Sequence, residues 1–86
     1  MYEVYLEGAA ERDLKRLTAG VFHRIIQNIK ALGENPRPSG CRKIKGAKKD
    51  WRIRIGSYRI IYEINDDGVV VMVVKVGHRK EVYRCR

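Results

Sequence analysis

The feature that most restricts how this chain can fold is the stretch Trp51-Arg52-Ile53-Arg54-Ile55-Gly56-Ser57-Tyr58-Arg59-Ile60-Ile61-Tyr62-Glu63-Ile64, in which apolar and charged residues alternate on both sides of Gly-Ser. A period of two marks a strand with one buried face, and a glycine-led two-residue loop marks a type II′ hairpin. So short a loop fixes register: Ile55 opposes Tyr58, Arg54 opposes Arg59 and Ile53 opposes Ile60. One face then carries Trp51, Ile53, Ile55, Tyr58, Ile60, Tyr62 and Ile64. The other carries Arg52, Arg54, Arg59, Ile61 and Glu63.

The first of these faces predicts a core lying under helices. On the second, Arg54 and Arg59 stand directly across from each other, an arrangement that destabilises a sheet. Three guanidinium groups aimed at one patch are suited to holding phosphate through paired hydrogen bonds. The plainer alternative is that the arginine stems cover apolar surface and keep their heads in water.

The rest of the chain supplies the partners of this hairpin. Tyr2, Val4 and Leu6 alternate with Glu3, Tyr5 and Glu7 as in a short strand that ends at Gly8. Ala10, Leu14 and Leu17 then recur at helical spacing, with Glu11 and Asp13 early and Lys15 and Arg16 late, as the helix dipole favours; this helix is predicted to stop near residues 18–20. Phe22, Ile25, Ile26, Ile29 and Leu32 mark a second helix, closed by Gly33 and the Asn35-Pro36-Arg37-Pro38 segment, and the two are expected to form an antiparallel hairpin.

Residues 39–50 read as a basic loop with a brief strand at 42–44, broken by Gly46, and residues 69–76 form the last strand after the Asn65-Asp66-Asp67-Gly68 turn. The order β-α-α-β-β-β predicts an α+β fold, two N-terminal helices on one face of a mostly antiparallel four-stranded sheet. At 86 residues the chain is expected to form a single domain. The Asn65 to Gly68 turn leaves the register of the last strand open by one residue, and with it the face on which His78 lies.

The net charge of +9 is collected rather than spread: residues 37–59 sum to +8 and residues 75–86 to +4, while residues 1–36 are neutral and residues 60–74 sum to −3. Such a block calls for a polyanion, nucleic acid or an acidic protein segment. Lys43, Lys45, Lys48 and Lys49 are its lysines and the candidate RNA-binding residues.

No apolar run approaches a membrane span and the first ten residues lack a signal-peptide pattern, so a cytoplasmic location is expected. Cys41 and Cys85 have neither CxxC nor histidine spacing; both are expected as free thiols, with no metal and no cofactor.

Near the carboxyl terminus His78 offers an imidazole, the side chain most often used for proton transfer, and is a candidate general acid or base, against the reading of an exposed or structural histidine. Tyr83 is suited to donating a proton or stacking on a base, against the reading of a tyrosine packed on the sheet. His23, beside Phe22, is assigned no role.

The 51–64 stretch together with Val76-Gly77-His78-Arg79-Lys80-Glu81-Val82-Tyr83 closely resembles the RelE toxins of the RelE/ParE superfamily; Asn35-Pro36-Arg37 and Lys43-Ile44-Lys45-Gly46 also sit where that family has similar segments. The resemblance implies a toxin of a type II toxin–antitoxin system, neutralised by a RelB-like antitoxin. It further implies a metal-independent endoribonuclease that cuts mRNA in the ribosomal decoding site, beside 16S rRNA, by attack of a ribose 2′-hydroxyl on the adjacent phosphate.

Carried over by position, the family's basic strand residues fall on Arg52 and Arg54, its phosphate-binding arginines on Arg59 and Arg79, and its terminal tyrosine on Tyr83. Family members can carry lysine where this chain has Arg52 and Arg54; an arginine is a poor general base, so proton transfer passes to His78 and Tyr83 or electrostatics carry most of the rate. The alternatives are a ParE-like inhibitor of DNA gyrase and a non-enzymatic module that binds RNA or an antitoxin.

Overall fold

A computed structural model describes residues 1–46 and 49–78. Its elements are β1 (Glu3–Leu6), α1 (Gly8–Lys15), α2 (Ala19–Glu34), β2 (Arg42–Lys43), β3 (Asp50–Ile55), β4 (Tyr58–Asn65) and β5 (Val70–His78). They build an α+β fold around a sheet of order β1-β5-β4-β3-β2, antiparallel except where β1 runs parallel to β5. The sheet has five strands where four were expected. The fifth is β2, the brief strand expected at 42–44, which joins the sheet by pairing of Arg42 with Arg52 and Lys43 with Trp51. Gly46, at φ 86°, makes the left-handed turn that reverses the chain there, and the Ile44 amide closes it on the Asp50 carbonyl at 2.9 Å.

The helices form where apolar spacing demanded them. α1 turns Ala10 and Leu14 inward, α2 turns Ile25, Ile29 and Leu32 inward, and these meet Ile53, Ile60, Tyr62, Ile64, Val71, Val73 and Val76 on one face of the sheet. α1 ends earlier than expected, at Lys15, with its last amides bonding three residues back (Arg16 to Asp13, Leu17 to Leu14). α2 begins at Ala19 and takes Gly20 into its first turn. Gly33 is a packing glycine: a Cβ there would stand 3.0 Å from the Tyr2 carbonyl oxygen, while the Tyr2 amide donates to the Gly33 carbonyl at 2.7 Å. This contact joins α2 to the start of β1.

The β3–β4 register is the one the Gly56-Ser57 loop dictates, and Gly56 has the positive φ, 61°, that a II′ turn needs at its first position. The β4–β5 pair holds the informative irregularity. Tyr62 pairs with Val73 and Ile61 with Lys75, so Val74 is an extra residue, a β-bulge. One extra residue reverses the side-chain alternation: Val71, Val73, Val76 and His78 share the helix-covered face, whereas Met72, Lys75 and Gly77 lie on the other, which is bare of helices among the described residues.

The α2–β2 segment is pinned from two sides. The buried Tyr62 hydroxyl donates to the Pro36 carbonyl at 2.8 Å. Arg37 gives both arms of its guanidinium to Asp66, at 3.2 and 2.9 Å, while lying over the Trp51 ring at 5.2 Å. Tyr2 adds its hydroxyl to the same carboxylate at 2.6 Å. On the far side of the sheet, β1 pairing ends at Leu6 with Val73, and Asp13 of α1 takes over, accepting the Val76 amide at 3.1 Å with Lys75 Nζ 3.5 Å away.

Candidate nucleic-acid interface

Register assembles the bare face in transverse rows. The row nearest the Gly56-Ser57 turn is Arg54, Arg59 and Gly77; the next is Arg42, Arg52, Ile61 and Lys75; beyond it come Asp50, Glu63, Met72 and Tyr5. Two basic rows are therefore followed by an acidic one, which Glu3 on β1 and Glu7, just after it, extend. Charge on this face is sorted into halves.

The basic half has depth as well as charge. Arg59 is only 7% exposed, Arg52 is half-buried and Arg54 is exposed. An arginine stays ionised wherever it sits, and a guanidinium withdrawn from water attracts an approaching phosphate more strongly than one in bulk solvent. Ile61, 1% exposed although it lies on the face without helices, forms an apolar floor between Arg52 and Lys75. Arginine stems flanking Ile61 and arginine heads offered to an anion are thus compatible parts of one surface. An open hollow of about 490 Å³ is lined by Arg42, Lys43, Ile44, Lys45, Arg52 and Arg59.

Of the residues the sequence brought forward, Arg52, Arg54 and Arg59 come together on this face. Lys45 lies at the rim of the hollow, and so does Lys43, although it pairs with Trp51 and belongs by register to the other face. Lys49 is exposed and lies beside Glu7 and Glu63, over the acidic half. His78 is not with the arginines: the Val74 bulge puts it on the helix-covered face, opposite Tyr58 and edge-on to that ring at 5.9 Å. Lys48, Arg79 and Tyr83 lie outside the described residues.

Arg42 and Lys75 were missed. Both reach the face through strand pairing, Arg42 through a two-residue strand and Lys75 through the bulge, and alternation alone announces neither. Among the described residues no group of three or more His, Cys, Asp or Glu side chains comes together that could hold a metal ion, and no helix is long and apolar enough to cross a membrane.

Among the described residues the helices cover one sheet face and leave the other open and grooved, with its basic half of a kind suited to a polyanion. The family model for the ParE toxin of the type II toxin–antitoxin system parDE matches residues 4–83, and the chain belongs to this RelE/ParE group of type II toxins. Toxin RelE3 of Methanocaldococcus jannaschii is 36% identical over 78 residues, 84% of each chain. The mRNA interferase toxin RelE of Escherichia coli is 29% identical over 86 residues, 95% of this chain and 90% of that one. Among solved structures, a chain of the toxin–antitoxin complex RelBE2 from Mycobacterium tuberculosis superposes with a TM-score of 0.81 at 25% identity, over 91% of each chain.

Proposed function

We propose that this toxin is a ribosome-dependent mRNA endoribonuclease, held inactive by a cognate RelB-like antitoxin and acting in the cytoplasm. The observation that carries the reading is the opposition of Arg54 and Arg59 on a bare sheet face, with Arg52 beside them and the Arg59 head withdrawn from solvent. A sheet keeps three guanidinium groups at such close quarters when a phosphate is what they serve. The relative from Escherichia coli named as an mRNA interferase supports the reading, and so does the similarity to a RelBE complex.

In this reaction the 2′-hydroxyl oxygen attacks the adjacent phosphorus, the bond to the 5′-oxygen breaks, and the products are a 2′,3′-cyclic phosphate and a free 5′-hydroxyl. One proton leaves the 2′-hydroxyl and one reaches the 5′-oxygen, with no metal required. Arg59 and Arg79 neutralise the charge that builds on the phosphorane, while Arg52 and Arg54 orient the backbone and favour ionisation of the 2′-hydroxyl. The position of His78 on the opposite face argues against it as the proton carrier and leaves that role to Tyr83. Lys43 and Lys45 at the rim of the hollow supply further contacts to RNA, as Lys48 does in this reading, whereas the place of Lys49 over the acidic half argues against such a role.

Induction in cells tests the assignment. Wild-type protein should arrest growth and deplete mRNA; Arg59→Ala should lose about 10²- to 10³-fold in cleavage, the usual loss for one preorganised charge-stabilising donor, while still capturing its antitoxin. A fully toxic Arg59→Ala protein would remove Arg59 from the reaction. The ParE name of the matching family model favours one other reading, inhibition of DNA gyrase, in which mRNA stays intact while gyrase is blocked.

A further inference from the structure

We propose that Arg42 and Arg52 form a second phosphate-binding subsite for single-stranded RNA, beside the Arg54 and Arg59 row, and that it holds the phosphodiester adjacent to the one that is cut. This rests on the mRNA-cleaving reading above.

β2 exists only as Arg42 and Lys43, yet its pairing sets Arg42 directly across from Arg52 at the edge of the sheet. That placement repeats, one row along, the like-charge opposition of Arg54 and Arg59. The two rows are separated by two residues of β3, about 6.8 Å at the usual strand rise, a spacing on the scale of that between neighbouring phosphates of an extended strand. Arg42, Arg52, Arg59 and Lys45 line one hollow, and Arg42, Arg52 and Arg54 line the hollow that adjoins it. Arg42 and Arg52 are thus common to both, and neither has an ion pair among the described residues.

The surroundings limit the path to two phosphates. Lys75 belongs by register to the Arg52 row, but its ammonium is drawn to Asp13 on the other edge of the sheet, 3.5 Å away. One row further on, Asp50 and Glu63 stand opposite each other and repel an RNA backbone. A strand laid across the face meets cations at Arg54 and Arg59, meets them again at Arg42 and Arg52, and must then turn off the sheet toward the exposed Lys45. The same charge is open to an acidic peptide, but paired rows at phosphate spacing favour the nucleic acid.

The test uses the full-length protein and programmed ribosomes carrying mRNA in which single linkages around the cleavage site are replaced, one at a time, by uncharged methylphosphonates. With wild-type protein, neutralising an adjacent linkage should raise the toxin concentration for half-maximal cleavage on the order of tenfold, the scale of one charge-assisted contact. Neutralising a linkage two steps away should do little. Arg42→Ala should show the tenfold weakening with unmodified mRNA and no further loss on the adjacent methylphosphonate, with part of the wild-type behaviour returning in Arg42→Lys.

Wild-type indifference to every adjacent methylphosphonate overturns the subsite, and so does an Arg42→Ala protein that stays as sensitive to it as wild type. An Arg42→Ala protein that cuts mRNA normally but captures antitoxin poorly gives the surface to an acidic peptide instead. If wild-type protein leaves unmodified mRNA intact on ribosomes, the nuclease reading itself fails.

Discussion

Arg54 and Arg59 face each other directly across β3 and β4, the first exposed and the second 7% exposed, on the side of the sheet that neither α1 nor α2 covers. Opposed like charges cost a sheet about 0.2 to 1 kcal/mol, so function and stability pull apart at this pair. Arg54→Thr, which keeps a strand-favouring residue, should gain up to about 1 kcal/mol of stability, a rise of a few degrees in melting temperature. Its cleavage activity should fall. Thermal melting beside a cleavage assay reads both, and a variant that loses stability and activity together would show that the pair is not repulsive.

Asp66 gives an acid-sensitive contribution of known sign. Its carboxyl is held below the ordinary value of 3.8, first by the Arg37 guanidinium and then by the Tyr2 hydroxyl. The folded state therefore releases this proton more readily than the unfolded state, so the contribution is complete above the ordinary carboxylate value and is lost as pH falls through the depressed one. Asp66→Asn should flatten the dependence of the denaturation midpoint on pH between about pH 5 and pH 2 and leave it unchanged in shape at higher pH. An unaltered acid limb would assign the acid sensitivity to other carboxylates.

Tyr62 supports the basic half of the face from beneath. Burial first, and then the neighbouring Cys41, push its phenol above the ordinary 10.0, so it remains a neutral donor to the Pro36 carbonyl across the physiological range. Tyr62→Phe fills nearly the same space but leaves that carbonyl without its donor, at a cost of about 1 to 3 kcal/mol. Denaturant titration measures the loss. Hydrogen exchange should also quicken at the Cys41 amide, which bonds to the Pro38 carbonyl just before β2. A loss of stability without faster exchange there would mean that Tyr62 supports the core alone.

The residues that could be placed from sequence are those whose partners are local. Gly56-Ser57 makes the β3–β4 register a property of a few neighbouring residues, and with it the company of Arg52, Arg54 and Arg59. Helical spacing likewise marks Leu14, Ile25, Ile29 and Leu32 as core. His78 was not legible because its face depends on Val74, a bulge in an unbroken run of apolar residues where an added residue leaves no trace in the pattern. The brief strand at Arg42 was legible but its pairing was not, because two residues show no periodicity to assign a face; its place is set by Arg52 and by the Gly46 turn. Lysines in the same loop drew attention through their number, whereas Arg42 holds its place on the face through register.

In the proposed reaction the arginine face cuts mRNA held in the ribosome. Purified protein incubated with programmed ribosomes, and separately with the same mRNA free in solution, followed by primer-extension mapping of the ends, tests it most directly. Cuts are expected only at the codon in the decoding site, only when ribosomes are present, and should be lost in Arg59→Ala. Intact mRNA in both samples, with DNA gyrase inhibited by the same preparation, would contradict it.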